Sequence, residues 1–234
     1  MSDARAVAAV AALLGDESRA AMCQVMLDGA AWTVSELAEV ASVGRAAASE
    51  HVARLTSGGL VVTETQGRHK FVRLAGPQVA DLVESLSRFG DPTPAGSLRA
   101  VRERRQLATA RTCYDHLAGR LGVAVHDALL SARVLHRRGG LGVTAAGRTW
   151  FADLGVDLDD LEEQRRVLVR DCLDLTERTP HLAGSLGAAL CEAFVERDWV
   201  RRPGRTRALV VTPLGERALA DRLGLRPVDL APAT

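Results

Sequence analysis

Two Cys/His pairs are the side chains of this sequence best suited to metal or thiol chemistry. Cys113 and His116 stand three positions apart, which on a helix puts both on one face. Cys172 and His181 hold the matching place in a second copy of the surrounding segment, with eight residues between them instead of two. Related by a pseudo-twofold, the four could hold one Zn²⁺. A thiolate stabilised by a nearby cation could instead respond to oxidants, or the residues could pack alike because their surroundings are alike. The unequal separation argues against a symmetric metal site. The expectation is therefore that no metal is bound, and that the four either pack or line a pocket for a small-molecule or redox effector. Cys23, between Met22 and Val25, reads as a small core residue.

Enzyme chemistry finds little support. Gly139-Gly140-Leu141-Gly142 follows Arg137-Arg138 without a preceding strand or a later acidic ribose partner, so it is no dinucleotide loop. No Ser/His/Asp set and no phosphate-binding loop is present, and neither an enzymatic activity nor a cofactor is expected. The balance of the 234 residues, 47% hydrophobic and 25% charged, is that of an ordinary globular protein. Thirty Lys+Arg against 29 Asp+Glu exclude a strongly basic arm or an acidic tail as the main device, and Lys70 is the single lysine. Aromatics are 3%, so the core must be built from Ala, Val and Leu. Residues 6–14 are apolar but far short of the roughly 20 needed to span a bilayer, and they follow Asp3 rather than a basic segment. No membrane partner is expected, and four cysteines without an export signal point to reduced thiols in the cytoplasm.

Turn formers cluster at residues 90–97, Gly-Asp-Pro-Thr-Pro-Ala-Gly-Ser. They predict a domain over 1–90, a linker over 91–97 and a second domain over 98–234. In the first, Val7, Val10, Leu13 and Leu14 recur at helical spacing, and Asp16 caps a second helix that Gly29 ends. Thr33 caps a third, with Glu36 placed for a capping box. A fourth runs from Arg45 to Ser57 with Ala48, Val52 and Leu55 as its apolar stripe, and Gly58-Gly59 stops it. Strands follow at 60–65 and 71–74 around a five-residue loop, Gln66 to Lys70, and a last helix spans 77–89 with Val79, Leu82, Val83 and Leu86 on one face.

Helix, turn, helix and hairpin in that order is the winged helix-turn-helix layout, and double-stranded DNA is the partner it implies. The face of the fourth helix opposite its stripe carries Arg45, Ala46, Ala47, Ser49, Glu50 and Arg54, small enough to enter a major groove and polar enough to meet base edges or phosphates. Arg68, His69 and Lys70 at the hairpin tip suit phosphates or a minor groove. The first 90 residues hold eight Lys+Arg against ten Asp+Glu, so positive charge has to be local. A neutral recognition face would point instead to a protein-interaction module.

Several segments are similar to ArsR-type winged-helix repressors: Leu13-Leu14-Gly15-Asp16-Glu17-Ser18-Arg19 in the opening, Val34-Ser35-Glu36-Leu37-Ala38, Ala48 through Leu55, Gly58-Gly59-Leu60-Val61, and the wing from Gly67 to Leu74. The resemblance covers residues 7–88. It implies a repressor acting as a homodimer joined through its first and last helices, with two recognition helices on a pseudo-palindromic operator. It makes Arg45, Ala46, Ala47, Ser49 and Glu50 the base-facing residues and gives His51 a partly packed role. The usual metal sites of that family lack their ligands here: the third helix carries no thiol, and residues 77–89 hold Asp81 and Glu84 but no histidine.

Beyond the linker the chain repeats itself. His116-Leu117-Ala118-Gly119-Arg120-Leu121-Gly122 recurs as His181-Leu182-Ala183-Gly184-Ser185-Leu186-Gly187, and Val143-Thr144-Ala145-Ala146-Gly147 recurs as Val211-Thr212-Pro213-Leu214-Gly215. The copies span about 113–158 and 172–230. Each reads as a helix (116–136, 181–200), a short strand into Thr-x-x-Gly, and another helix (145–154, 213–223), with Gly119, Gly122, Gly184 and Gly187 as close-packing points. A basic helix over about 98–111 carries Arg99, Arg102, Arg104, Arg105 and Arg111. The expected fold is mostly α with small β-hairpins: an N-terminal winged helix-turn-helix and a C-terminal helical unit of two winged-helix-like repeats, serving dimerisation or effector sensing.

Overall fold

The computed structural model describes residues 2–67, 69–87, 89, 97–204 and 206–230, without the side chains of residues 2 and 69. The chain divides into two units, Met1–Asp91 and Pro92–Thr234. Arg68 and residues 91–96 of the expected linker lie outside the described residues; Ser97 caps the first helix of the second unit through a bond from the Ala100 N–H.

The first unit opens with α1 (Ser2–Leu14) and α2 (Glu17–Val25). Asp16 caps α2 by accepting from the Arg19 N–H at 3.0 Å. The buried Arg19 turns its guanidinium back to the carbonyls of Ala12 and Leu13, satisfying two of the acceptors that a helix end leaves open. Strand β1 (Trp32–Thr33) leads into α3 (Val34–Val40), which begins with the full Thr33/Glu36 capping box. α4 (Arg45–Ser57) follows the turn. Ala48, Val52 and Leu55 are buried, the stripe expected from spacing. The sheet has the order β1-β3-β2, with β2 at Val61–Gln66 and β3 at His69–Leu74. α5 (Pro77–Ser87) closes the unit.

Three details differ from expectation. The wing hairpin is paired closer to its tip than expected, because Gln66 pairs with His69 and Thr65 with Lys70, which leaves two positions between the strands. Gly67 has φ +61°, which lets so short a connection close. Residues 69 and 70 therefore belong to a strand. The sheet gains β1, whose two residues are too few to show alternation in sequence. On α5 the buried residues are Ala80, Val83 and Glu84, while Leu86 is exposed.

The second unit starts with the exposed α6 (Leu98–Thr109) and then shows one element order twice. The first half is β4 (Arg111–Cys113), β5 (His116–Ala118), α7 (Gly119–Ser131), β6 (Leu135–His136), β7 (Gly142–Val143) and α8 (Ala145–Ala152), followed by the short α9 (Leu158–Glu162). The second is β8 (Arg170–Leu173), β9 (Pro180–Ala183), α10 (Ser185–Glu196), β10 (Val200–Arg201), β11 (Val210–Val211) and α11 (Pro213–Leu223). The halves interlock: α7 packs on β9 and α10 on β5, around one apolar cluster that includes Leu121, Leu129, Phe151, Leu186, Phe194 and Leu219. The helices expected at 116–136 and 181–200 are shorter, since each begins with three or four residues of strand. Arg111 lies on β4, buried, and not on the basic helix.

The recurring Thr-x-x-Gly is a corner with a specific geometry. Thr144 Oγ1 donates to the Arg133 carbonyl at 2.7 Å and accepts from the Gly147 N–H at 2.8 Å. Thr212 does the same with Asp198 and Gly215, at 2.6 and 3.0 Å. Arg133 and Asp198 both take the left-handed conformation, φ +56° and +57°. The glycines let each helix press against a carbonyl: a Cβ on Gly147 would sit 2.1 Å from the Val134 oxygen, and one on Gly215 2.1 Å from the Trp199 oxygen. Gly147→Ala and Gly215→Ala are each expected to lower stability by about 1–3 kcal/mol, read as a shift in urea midpoint. An unchanged midpoint for either would contradict the corner.

Candidate nucleic-acid interface and buried Cys/His cluster

The face of α4 opposite its buried stripe is open, with Arg45, Ala46, Ala47, Ser49, Glu50 and Arg54 all exposed. Gly44 caps the helix without a side-chain bond. This leaves the first-turn N–H groups and the helix dipole directed outward, a favourable setting for a phosphate. Ser49 Oγ donates back to the Arg45 carbonyl at 2.9 Å, which leaves its lone pairs for an incoming donor. Glu50 and Arg54 are 3.9 Å apart, a loose exposed pair, so part of the positive charge on this face is compensated. His51 is half-buried, 3.5 Å from the Arg19 guanidinium and 3.7 Å from Asp16, in the partly packed place that the resemblance implies. Lys70 is exposed on β3 opposite Thr65. Of the wing residues, Arg68 and the His69 side chain fall outside the described residues.

In the second unit Cys113, His116, Cys172 and His181 come together. One donor atom from each lies within 4.8 Å of the others, and all four residues are buried. Two expectations are corrected. Cys113 and His116 do not share a helix face; they are cross-strand partners in the β4–β5 hairpin. Cys172 and His181 are likewise cross-strand partners, in β8–β9. The unequal separation in sequence is a difference in hairpin length, which leaves the register of the two pairs the same.

The histidines face each other, Nε2 to Nε2 at 3.2 Å. Each has a carboxylate behind it and each carboxylate has an arginine. His116 Nδ1 is 3.1 Å from Asp115 Oδ1, and Arg166 grips Asp115 with two bonds of 2.5 and 3.1 Å. His181 Nδ1 is 3.2 Å from Asp174 Oδ2, an ion-pair separation in which the ring N–H points off the oxygen, and Arg111 donates to Asp174 Oδ1 at 3.0 Å. Burial works against the charged form of His181, but Asp174 and Cys172 outweigh it and raise its pKa. The Cys113 thiol donating to Cys172, opposed by burial and helped by His116 and His181, holds Cys172 well below the ordinary thiol range. Burial pushes the other two thiols up, Cys23 to about 11 and Cys191 to about 12. The sequence drew attention to the four cluster residues, but Asp115, Asp174, Arg111 and Arg166 were missed. The signal for them was available: Asp115 adjoins His116, and Asp174 follows Cys172 by two positions.

A helix-turn-helix domain family matches residues 14–64. The protein YdfF of Bacillus subtilis (strain 168), named as an uncharacterized HTH-type transcriptional regulator, is 34% identical over 221 residues, covering 94% of this chain and 98% of its own length. The chain belongs to the helix-turn-helix transcriptional regulators. Among solved structures, this regulator is similar over 37% of its length to the homodimeric winged helix-turn-helix domain of Mb0332 from Mycobacterium bovis, described as a possible ArsR-family regulator (26% identity, 79% of that chain, TM-score 0.35). Over 39% it is similar to reduced HlyU from Vibrio cholerae N16961 (24% identity, 95% of that chain, TM-score 0.35). The likeness to YdfF runs through both units of the regulator, so the second unit is common to the two proteins. Among the described residues no helix is long and apolar enough to cross a membrane.

Proposed function

We propose that this DNA-binding transcriptional regulator is a cytoplasmic homodimeric repressor reading a pseudo-palindromic operator. The observation that carries the reading is the open face of α4. In it, small Ala46 and Ala47 allow close approach to the floor of a major groove, Arg45, Ser49 and Glu50 meet base edges, and Arg54 meets phosphate. Lys70, with Arg68 and His69 beside it, contacts backbone phosphates or an adjacent minor groove. Residues 1–90 form the DNA-binding domain, 91–97 the linker, and 98–234 a duplicated unit serving dimer geometry or sensing. Val7 on α1 and Leu86 on α5 are exposed apolar side chains, 68% and 46%, on the two helices that join protomers in the ArsR-type repressors the sequence resembles.

Arg45→Ala is expected to weaken operator binding by about 1–3 kcal/mol and relax specificity at one base pair. Lys70→Ala is expected to weaken all sequences alike and lower the slope of log K against log salt by about 1. Shift assays over a salt series separate the two effects, and an unaltered slope for Lys70→Ala would remove the wing from the interface. The Glu50–Arg54 pair favours a second reading, a protein-interaction module, because it leaves the α4 face closer to neutral. Absence of any sequence-selective shift would decide for it.

A further inference from the structure

The buried Cys/His cluster belongs to the second unit, and the DNA-binding reading makes no use of it. We infer that Cys113 Sγ, His116 Nε2, Cys172 Sγ and His181 Nε2 form a closed tetrahedral site for Zn²⁺ that fastens the two halves of the second unit together. The inference does not rest on the operator reading.

The donor set is two thiolates and two imidazoles, the Cys₂His₂ combination that suits this ion and fills all four of its positions. The spacing suits it as well. With Zn–N bonds of about 2.0–2.1 Å, two ligands of a tetrahedral ion stand about 3.3 Å apart, and the two Nε2 atoms are 3.2 Å apart. Both histidines direct Nδ1 towards a carboxylate, Asp115 and Asp174. With the proton on Nδ1 of each ring, the two Nε2 lone pairs would face each other at 3.2 Å in a buried setting. A cation between them removes the repulsion and takes up both lone pairs. A carboxylate behind each ligating histidine is the usual outer support of a zinc site, fixing tautomer and ring orientation. Here Arg111 and Arg166 in turn balance those carboxylates. The ion's two charges match the two thiolates, as the two arginines match the two aspartates.

The two halves supply equivalent parts. Each contributes one antiparallel hairpin and one cross-strand Cys/His pair. Each histidine sits under a glycine of the other half: a Cβ on Gly122 would lie 3.5 Å from His181 Cβ, and one on Gly187 3.3 Å from His116 Cβ. The nearest atom to each such Cβ is a backbone carbonyl of the same half, Leu117 at 2.5 Å and Leu182 at 2.6 Å, so these glycines let each helix start close against its own hairpin with the other half's histidine in contact beside it. The expectation of no metal came from the unequal Cys–His separations, which the hairpin register makes irrelevant.

The test is elemental analysis of the untagged full-length regulator, purified with thiol reductant and without added metal. One zinc per chain is expected, retained in Cys23→Ala and Cys191→Ala and lost in Cys172→Ser. A misfolded Cys172→Ser would not leave the matter open, because the wild-type chain answers independently. Stripped and reloaded with Co²⁺, it should show the intense visible bands of a tetrahedral ion with thiolate charge transfer, and X-ray absorption of the zinc form should give two sulfurs near about 2.3 Å and two nitrogens near about 2.0–2.1 Å. Any of three results overturns the inference: purified protein without zinc whose thiol form takes up neither Zn²⁺ nor Co²⁺ against a chromophoric chelator, a Cys113–Cys172 disulfide in the freshly purified chain, or bound metal that Cys172→Ser retains.

Discussion

Asp174→Ala is expected to lower the unfolding free energy of the second unit by about 3–5 kcal/mol, the cost of removing one partner from a buried ion pair. The Asp174 side chain is completely buried, and Arg111, its partner at 3.0 Å, is 2% exposed. Asp174 Oδ1 also accepts from Thr176 N and Oγ1, both at 2.8 Å, and from Glu177 N at 3.1 Å; Oδ2 accepts from Gly119 N at 2.7 Å. One carboxylate thus shapes the β8–β9 loop, holds the start of α7 in the other half, and backs His181. Its removal leaves a guanidinium without a counter-charge in a dry setting, where it cannot shed its proton. Burial opposes ionisation of Asp174, but His181 and Arg111 outweigh it and hold the carboxyl below the usual carboxylate range. Glu103→Ala removes the exposed Arg99 pair on α6 instead and should barely change stability. Replacing both members, Arg111→Met with Asp174→Leu, removes the unpaired guanidinium but still leaves the Gly119, Thr176 and Glu177 donors without their acceptor, so only part of the loss should be recovered. Urea titrations of the three variants check this; equal midpoints for Asp174→Ala and Glu103→Ala would refute it.

Phe194→Ala is the second large effect, about 3–5 kcal/mol. In a chain with only 3% aromatics, each buried ring fills space that Ala, Val and Leu cannot. Phe194 is fully buried on α10 and meets Trp199 edge-on, with centroids 4.9 Å apart at 62°. The other half places Leu129 where this one has Phe194, and Phe151 where this one has Leu219, and all four are fully buried. At these two positions each half therefore contributes one ring and one leucine, on opposite helices. Phe194→Leu keeps an apolar side chain and should cost clearly less than Phe194→Ala. A Phe194→Ala midpoint equal to wild type would show that the core collapses around the gap.

How far the sequence carried depended on distance along the chain. α4 was legible because its stripe, its preceding turn and its glycine stop all act within a few residues. The capping box at Thr33 and Glu36, the Asp16 cap and the Thr-x-x-Gly corners are local in the same sense. The strands β4, β5 and β9 were misread as parts of helices: runs of three or four residues are too short to show a period of two, and the apolar spacing of α7 and α10 continues smoothly back through Leu117 and Leu182. Arg111 was misplaced on the basic helix for the same reason, with nothing nearby to announce its burial. The wing loop was read too long because paired polar residues at the end of an exposed hairpin look like loop residues.

The amino-acid sequence by itself determined that this protein carries a helix-turn-helix with an open Arg/Ser/Ala face, and that its second unit contains two similar halves. Caps, stripes and turn residues act between neighbours, and a repeat is visible without coordinates. Only the tertiary structure decided that His116 and His181, 65 positions apart, point their Nε2 atoms at each other, and that Asp174 joins His181 to Arg111. The reason is physical. Hairpin register is independent of loop length, and the crosswise packing of α7 on β9 and α10 on β5 depends on surfaces that exist only after both halves have folded.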